Sequence, residues 1–405
     1  MSFWGPKTTC AATQLGENGP MGARRGGGWI RAAAALCTVL LISAAGCTGG
    51  PRPPDPMPTD QDRAAAFALL EAFSDRMIGE GAPAVLIDVR YDGNAWTHAA
   101  GVRNLETREP AAASDPVRVG GITESFVAVS VLKLVAEGKL GLDDPVSRYL
   151  PEFGSVLHPP GPVSVRQLLT HESGLPDFTD PLLASGPWEK VTVRKISLEQ
   201  QLALAATVPW EPRLARIFNY SRTNYAALAL IVERLRGQDI AQVLAMDIAR
   251  PLDLGATRLG GPALPGMVHG YVMVGGARLD ASLPEWQAEA PSSGAVSTLP
   301  EVNRFYAALL KGELLPPDSV TAMKGGYLQY YGFALRRWNN TCNNRFYYGL
   351  PGDTDGYGTI AMTSEDGKTQ LAMAVAYPPE PPTLGVNPLI SELTDVSQDA
   401  LNHLC

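Results

Sequence analysis

The stretch of sequence that decides the fold is residues 118–145, RVGGITESFVAVSVLKLVAEGKLGLDDP. It begins with residues typical of a short strand, passes through two adjacent glycines, and continues as an apolar run of helical length. Gly138 is placed to end this helix, because glycine readily takes the left-handed conformation found just after helix ends. The sequence therefore predicts a short strand, a glycine turn and an apolar helix in direct succession.

This stretch resembles the active-site helix of the penicillin-recognising serine hydrolases, which include class C β-lactamases, DD-peptidases and related esterases. In that family R-(I/V)-G-S-x-x-K-S-F opens the helix, with serine as the nucleophile and lysine one turn later as its base. Here Gly121 stands at the serine position and Glu124 at the lysine position. The resemblance keeps the frame of the motif and replaces the two residues that perform acyl transfer.

A literal S-x-x-K occurs further along the same helix, from Ser130 to Lys133, and offers another register for the motif. In that register Ser130 would lie about two turns inside the helix, where its hydroxyl meets neighbouring helices or its own backbone. No glycine turn precedes it to open a cleft. We therefore interpret Lys133 as a solvated lysine.

Three further stretches resemble landmarks of the family and follow in the expected order. The first contains His171, which we interpret as structural, because a lone histidine in such a motif more often satisfies backbone groups than performs chemistry. The stretches are VSVRQLLTHESGLPD (163–177), PLDLGATRL (251–259) and SSGAVSTLPEVNRF (292–305).

The second and third chemical motifs of the family are also altered. Tyr220 and Arg222 occupy the ends of a Y-x-N motif in which only the tyrosine is kept. Residues 347–359, YYGLPGDTDGYGT, are similar to Y-G-H-x-G-G-T-P-G-Y-x-S, which places Leu350 at the histidine position and Gly352 two residues later. Leucine can neither donate a proton nor polarise a substrate. The resemblance thus implies that no catalytic motif is intact.

The resemblance also predicts how the altered residues interact. The lysine and asparagine positions of the family lie within hydrogen-bond reach, so we expect Glu124 and Arg222 to form a salt bridge across the cleft floor. Asp353 and Asp355 lie in the loop of the third motif and, with Tyr220, complete the predicted ligand cleft. Their charge would disfavour an anionic ligand and tolerate a neutral or cationic one. The alternative is that both aspartates are solvent-facing turn residues.

Strand patterns at both ends of the body flank a mainly helical centre. Together with the resemblance, this order predicts an α/β (α+β) fold, in which an antiparallel sheet of the β-lactamase/transpeptidase type is flanked by helices and carries an inserted mainly helical domain. The sheet part is expected to comprise 62–117 and 326–405, and the helical part 118–325. The predicted terminal helices are 60–78 and 388–403, and the predicted strands are 84–91, 95–102, 331–338, 345–349, 358–363 and 370–376.

Residues 1–46 have the pattern of an export signal. A basic segment precedes an apolar segment, 32–45, that is too short to span a bilayer. Met21 would begin a signal of ordinary length, which identifies it as a candidate functional start. Both the Sec and the Tat route are compatible with the basic residues, Arg24, Arg25 and Arg31.

Small residues before Cys47 resemble a bacterial lipobox, in which the cysteine is lipidated and becomes the mature N-terminus. Residues 47–61 are rich in proline and would act as a semi-extended tether. The sequence therefore predicts an exported protein that a lipid anchors to the extracytoplasmic side of the cell membrane. Ordinary cleavage, with Cys47 left as a stray thiol, is the alternative.

The cysteines beyond this leader are Cys342 and Cys405. An even pair in an oxidising compartment indicates a disulfide, and two unpaired thiols are the alternative.

Composition excludes several classes of partner. The chain has 405 residues, is 45% hydrophobic and carries a formal net charge of −8, which argues against nucleic acid as a partner. Its five histidines lack the spacing of metal ligands, so we expect neither a metal site nor another cofactor.

Three functions remain compatible with the sequence. The favoured hypothesis is a membrane-tethered pseudoenzyme that binds an envelope ligand or a protein partner through the former catalytic cleft. The second is an active hydrolase of the carboxypeptidase, esterase or β-lactamase type, in which Glu124 or Tyr220 activates water. The third is a structural surface lipoprotein.

Overall fold

The computed structural model describes residues 58–191, 195–211, 216–260, 263–282, 290–325, 330–382 and 385–405. The predicted export signal, the lipidation site at Cys47 and the tether up to residue 57 lie outside the described residues and stay predictions. No helix in the described part is both long enough and apolar enough to cross a membrane.

The longer strands of the described chain lie toward its two ends, and several short strands lie within a largely helical middle. They are β1 Ala84–Tyr91, β2 Asn94–Gly101, β3 Val117–Arg118, β4 Arg258–Leu259, β5 Tyr271–Val274, β6 Ala277–Asp280, β7 Ala295–Ser297, β8 Arg336–Asn340, β9 Arg345–Gly349, β10 Pro351–Thr354, β11 Tyr357–Ser364 and β12 Gln370–Ala376.

The helices include four long elements of 15 to 20 residues, and the others are shorter. They are α1 Asp60–Gly79, α2 Ile122–Ala136, α3 Glu152–Leu157, α4 Val165–Leu169, α5 Thr179–Ala184, α6 Trp188–Val191, α7 Leu198–Ala205, α8 Arg222–Arg236, α9 Ile240–Leu244, α10 Ala290–Ser293, α11 Leu299–Leu310, α12 Pro317–Lys324 and α13 Leu389–His403. A 3₁₀ turn at Val146–Arg148 and a π turn at Ala245–Ala249 complete them.

The main sheet is antiparallel and combines strands from both ends of the described chain. Its order is β2-β1-β12-β11-β9-β8, with β10 paired to β11. Side chains of β1 alternate between two cores: Val85 and Ile87 pack with residues of α1 and α13, whereas Leu86 packs with the core that contains α2. Helices therefore cover both faces of the sheet, and the predicted fold class is confirmed.

Helix α2 is the central helix of the larger core. It begins after Gly121, and nearly all of its side chains are buried, which explains why its sequence is apolar on every face. Gly138 follows its last turn with a φ of +69°, as predicted for the residue that ends this helix.

The prediction of a mainly helical centre overlooked several short strands. The strands β3, β7 and β4 form a small sheet, and β5 pairs with β6 as a hairpin. Each of these strands has only two to four residues, too few for an alternating pattern to show. The predicted strand at 331–338 is also wrong in position, because the strand is Arg336–Asn340 and Tyr331 forms an isolated bridge with Arg336.

Cys342 and Cys405 are brought together by the fold. Cys342 follows β8 and Cys405 follows α13, and their Cα atoms lie 5.9 Å apart, within the range that a disulfide spans. The geometry is compatible with the predicted bond, which would tie the end of the last helix to the edge of the main sheet.

Replacing Cys405 with serine is expected to lower the free energy of unfolding by about 2–3 kcal/mol, because the bond closes a long loop and restricts the unfolded chain. Thermal unfolding of the oxidised protein and of Cys405→Ser measures the loss. A reducing agent should lower the melting temperature of the unaltered chain but not that of the variant. If alkylation under denaturing conditions modifies both cysteines without prior reduction, the disulfide prediction is wrong.

Candidate functional site

The turn before α2 packs closely against strand β10. Gly120 has a φ of +51°, and a Cβ added there would lie 2.7 Å from the backbone nitrogen of Asp353. A Cβ at Gly121 would lie 3.0 Å from the carbonyl oxygen of Pro351, and one at Gly352 only 2.1 Å from that of Val119. Backbone therefore contacts backbone where the family places its nucleophilic side chain.

Glu124 lies one turn into α2 and is only 2% exposed. Its Oε1 accepts a hydrogen bond of 2.9 Å from the hydroxyl of Tyr220. Its Oε2 lies 3.4 Å from Nε2 of His171 and 3.5 Å from the hydroxyl of Tyr331. A carboxylate at this depth requires such donors, since burying an unpaired charge costs several kcal/mol.

His171 supports the Glu124 carboxylate from the interior of the protein. It is fully buried, and its Nδ1 lies 3.0 Å from Nδ2 of Asn224 and 3.3 Å from the backbone nitrogen of Ser221. Its backbone has a φ of +54°, a left-handed conformation that is costly for a residue other than glycine. The predicted structural role of His171 is consistent with these contacts, which extend further to the Glu124 carboxylate.

Tyr220 connects Glu124 to the solvent. The residue is 38% exposed, although its hydroxyl is directed inward to the carboxylate. Desolvation, and then the negative charge of Glu124, raise the pKa of the Tyr220 hydroxyl well above its ordinary value. At neutral pH this hydroxyl therefore stays protonated and donates a hydrogen bond to Glu124.

The predicted salt bridge between Glu124 and Arg222 is wrong. The guanidinium of Arg222 lies 3.6 Å from Oδ2 of Asp177 and packs over the ring of Tyr220 at 5.6 Å. The same Oδ2 accepts a hydrogen bond of 3.0 Å from the backbone nitrogen of Arg222, the first residue of α8. Asp177 therefore caps the N-terminus of α8 and pairs with the side chain of Arg222. The N-terminus of a helix favours an acidic residue at such a position.

The residues of the third motif take different positions. Leu350 is buried in the larger hydrophobic core. Asp353 accepts hydrogen bonds from the hydroxyl of Tyr377, at 3.0 Å, and from the backbone nitrogen of Asn387, at 2.8 Å. Asp353 thereby connects β10 to the segments after β12, while Asp355 lies in the turn that joins β10 to β11.

A cleft of about 300 Å³ opens beside Tyr220 and Arg222. Glu124 lies behind Tyr220 rather than on the surface of the cleft. The structure therefore brings most of the predicted cleft residues together at one opening. The charged and aromatic residues among the others that line the opening are Arg118, Asp177, Asp180, Trp188, Tyr271, Asp353, Asp355, Tyr377 and Glu380.

The alternative register of the first motif has no cleft. Ser130 is fully buried, and the Lys133 amine donates a 2.7 Å hydrogen bond to the carbonyl oxygen of Asp247. Its amine also lies 3.7 Å from a carboxylate oxygen of Asp247. The interpretation of Lys133 as a solvated lysine is thus wrong in detail, since the amine is anchored to a neighbouring element.

A second cluster of serine, histidine and aspartate lies in and beside the β5–β6 hairpin. Nδ1 of His269 contacts both Oδ2 of Asp280, at 2.6 Å, and Oγ of Ser282, at 3.1 Å. A catalytic triad needs the carboxylate and the hydroxyl on opposite ring nitrogens, and here Nε2 faces Asn104 at 3.4 Å. The cluster therefore holds the hairpin together and is not arranged for nucleophilic catalysis.

Comparison with known proteins identifies the family. The sequence profile described as Beta-lactamase matches residues 69–393, which is most of the chain. This chain belongs to the beta-lactamase family. The beta-lactamase family match spans Gly121, the helix α2 that follows it and the strands that flank the cleft.

Individual relatives within the beta-lactamase family carry several activities in their names. Esterase EstB of Burkholderia gladioli is 31% identical over 49% of this chain and 53% of its own length. Penicillin-binding protein 4* of Bacillus subtilis is 28% identical over 40% of this chain and 35% of its own. The chain thus matches about half or less of these relatives.

A solved structure extends the similarity over most of the fold. The D-stereospecific amidohydrolase from a Streptomyces species superposes with a TM-score of 0.68 at 27% identity, covering 78% of this chain and 94% of that one. The beta-lactamase-family chain therefore has a serine-hydrolase fold of the esterase, amidase and penicillin-binding-protein type.

Sequence reasoning missed two side chains of the site, Tyr331 and Asp177. Both lie far in sequence from the residues they support, and neither belongs to one of the three chemical motifs of the family. Among the described residues, no group of three or more histidine, cysteine, aspartate or glutamate side chains is placed to hold a metal ion.

Proposed function

We propose that this chain is a lipid-anchored binding protein of the cell envelope that uses the family cleft without serine acyl transfer. The observation that carries the proposal is the Gly121 position, where a backbone carbonyl approaches the site of the missing side chain to 3.0 Å. Acyl transfer needs a hydroxyl at this point to attack the substrate carbonyl. The lipid anchor rests on the sequence around Cys47 alone.

The charge at position 124 supports the same proposal. A lysine at this position would stabilise a deprotonated tyrosine and so prepare Tyr220 to accept a proton. Glu124 has the opposite effect. Desolvation raises the pKa of Tyr220 most, and the negative charge of Glu124 raises it further. Tyr220 is therefore a hydrogen-bond donor to the protein at neutral pH and is poorly suited to act as a general base.

Covalent labelling tests the proposal directly. The purified full chain, incubated with a fluorescent penicillin or a fluorophosphonate, is expected to show no adduct by gel fluorescence or intact mass. A penicillin-binding protein with an intact S-x-x-K motif serves as the positive control. An adduct on any serine of this chain would overturn the proposal.

An active hydrolase with substitute groups is the second candidate, and the hydrogen bond between Tyr220 and Glu124 favours it among the remaining alternatives. In that function the pair would position a water for attack on an ester. Turnover of p-nitrophenyl acetate without covalent labelling, and its loss in Tyr220→Phe, would establish this activity. Turnover that persists in Tyr220→Phe would assign it to a contaminant or to another surface.

A further inference from the structure

A second opening lies between β8, the edge strand of the main sheet, and α13, the last helix. Its volume is about 520 Å³, a size that suits a small-molecule ligand. Gln398 fastens the helix to the strand through a 2.9 Å hydrogen bond from its Nε2 to the carbonyl oxygen of Asn339. We call this opening the β8–α13 groove. The side chains that α13 contributes lie on one face of the helix and are Ile390, Ser391, Thr394, Asp395 and Gln398.

Arg336 brings a cation to the β8–α13 groove. Arg336 and Trp338 lie two residues apart on β8 and therefore project to the same face of the strand. Trp338 belongs to the core that contains residues of α13, and the guanidinium of Arg336 lies over its indole ring, 5.5 Å from the ring centroid. Arg337 projects to the opposite face, where it packs over the ring of Phe346 at 4.6 Å. Arg336 is an exposed residue of the groove lining, and the indole ring keeps water from one side of its guanidinium.

The guanidinium of Arg336 has no counterion in the part of the chain that the structure describes. Desolvation lowers its pKa, and the negative charge of Asp395 on the facing helix opposes this to a smaller extent. Asp395 does not approach closely enough to form an ion pair, and no described group accepts a hydrogen bond from the guanidinium. The planar N–H groups of an arginine match the two oxygens of a carboxylate. An anionic ligand in the groove would therefore supply the counterion that the described residues do not.

The first turn of α13 also favours an anion in the β8–α13 groove. The helix has 15 residues, and Ser391 in its first turn is exposed and lines the groove. A serine hydroxyl can donate a hydrogen bond, and the positive end of the helix dipole attracts negative charge. Glu392, the acidic residue of this turn, is paired with Arg76 at 2.7 Å. The carboxylate of Glu392 thus already has a counterion and does not belong to the groove lining.

Apolar side chains border the charged part of the β8–α13 groove. Val386 is 64% exposed, and Tyr330 and Ile217 are each 55% exposed, which makes them the most exposed large apolar side chains among the described residues. Val386 and Tyr330 both line this groove. Exposed apolar surface that borders an opening is typical of a binding site. A ligand with an apolar group beside its anionic group would cover these two side chains.

We propose that the β8–α13 groove is a binding site for a small aromatic carboxylate, whose carboxylate pairs with Arg336 and whose ring covers Tyr330 and Val386. The site is distinct from the family cleft and does not depend on the function proposed for that cleft. The two openings adjoin, because Val386 and Asn387 line both of them.

Two probes of the same shape and different charge test the inference on the purified full chain at neutral pH and low ionic strength. They are phenylacetate, an anion, and phenylacetamide, its neutral amide. A ligand-observed NMR titration is expected to give a roughly millimolar Kd for phenylacetate. Phenylacetamide should bind roughly tenfold more weakly, because a hydrogen bond between two charged groups is stronger than one to a neutral amide. Added sodium chloride should weaken the binding of phenylacetate and leave that of phenylacetamide nearly unchanged.

Variants of Arg336 locate the binding site. Arg336→Gln removes the cation and is expected to weaken phenylacetate binding roughly tenfold. Arg336→Lys keeps the charge but loses the paired N–H groups, and its loss should be smaller than that of Arg336→Gln. Arg345→Gln makes the same change at an exposed arginine of β9 outside the groove lining, and should bind phenylacetate as the unaltered chain does. Thermal unfolding shows whether any loss of binding reflects a loss of folding.

A change at Asp395 should act in the opposite direction. Asp395→Asn removes the acidic side chain of the groove and is expected to tighten phenylacetate binding about twofold to threefold, because a nearby negative charge repels the ligand. Asp399→Asn, one turn further along α13 at an exposed position outside the groove lining, should leave the Kd unchanged. A structural effect of losing an aspartate from this helix would affect both variants alike.

Four results would overturn the inference. They are no detectable binding of phenylacetate, equal binding of the two probes, an unchanged phenylacetate Kd in a folded Arg336→Gln, and weaker phenylacetate binding in Asp395→Asn. If Arg336→Gln does not fold, the ranking of the probes and the direction of the change in Asp395→Asn still decide. Binding of phenylacetate that Arg336→Gln weakens and Asp395→Asn strengthens would establish the site.

Discussion

Replacing Glu124 with alanine is expected to lower the free energy of unfolding by about 3–5 kcal/mol. The carboxylate is buried and receives the hydroxyl of Tyr220 and the Nε2 proton of His171. Alanine would leave both donors without an acceptor in a place that water cannot easily reach. Denaturant unfolding followed by circular dichroism measures the loss, and Glu71→Ala, at an exposed position of α1, is the matched control.

A double-mutant cycle shows which partner of Glu124 matters. Combining Glu124→Ala with Tyr220→Phe should give a coupling energy of about 1–2 kcal/mol, because each change removes the same hydrogen bond. The cycle with Arg222→Ala should show a smaller coupling, since Arg222 pairs with Asp177. A larger coupling to Arg222 than to Tyr220 would contradict the observed partnership and restore the salt bridge that the sequence suggested.

Restoring the two family residues is not expected to restore acylation. Gly121→Ser combined with Glu124→Lys should remain unlabelled by a fluorescent penicillin and lose more than about 4 kcal/mol of stability. The serine Cβ would meet the carbonyl oxygen of Pro351 at 3.0 Å, a tight contact that the strand relieves only by moving a few tenths of an ångström. The lysine ammonium would face the Nε2 hydrogen of His171, which would place two donors together without an acceptor.

The control for this double variant makes the same two changes where the structure tolerates them. Gly154→Ser places its Cβ in open space, and Glu71→Lys reverses a charge on the exposed surface of α1. The free energy of unfolding of this combination should lie within about 0.5 kcal/mol of that of the unaltered chain. Labelling of Gly121→Ser/Glu124→Lys would show that the strand yields readily and that the cleft still supports catalysis.

The sequence predicted those parts of the fold in which the pattern of apolar residues is long enough to distinguish a strand from a helix. The strands at Ala84–Tyr91 and Gln370–Ala376 are mainly apolar segments of strand length bounded by turn residues, and the structure places them at their predicted positions. The strand at Ala295–Ser297 has three residues, and nothing in a segment of that length distinguishes it from a helix end. Its pairing depends on neighbours that are distant in sequence.

The candidate site was predictable in position but not in its contacts. The motif resemblance located Glu124 and Tyr220, which the structure joins by a hydrogen bond. It could not show that Asp177, which lies 45 residues before Arg222, would cap the helix that Arg222 begins. A motif records which positions meet in relatives, whereas a changed side chain takes whichever partner the new charge and length allow.

The pairing of β1 with β12 has a consequence for how the chain folds. The hairpin of β1 and β2 is synthesised well before β12, and one of its edges stays open until β12 has been made, since Leu86 pairs with Ala374. Such distant partners slow folding and leave an unpaired edge exposed in the meantime. Truncated chains that end before Gln370 should therefore aggregate through this edge, and a chaperone that shields extended segments would assist the nascent protein most.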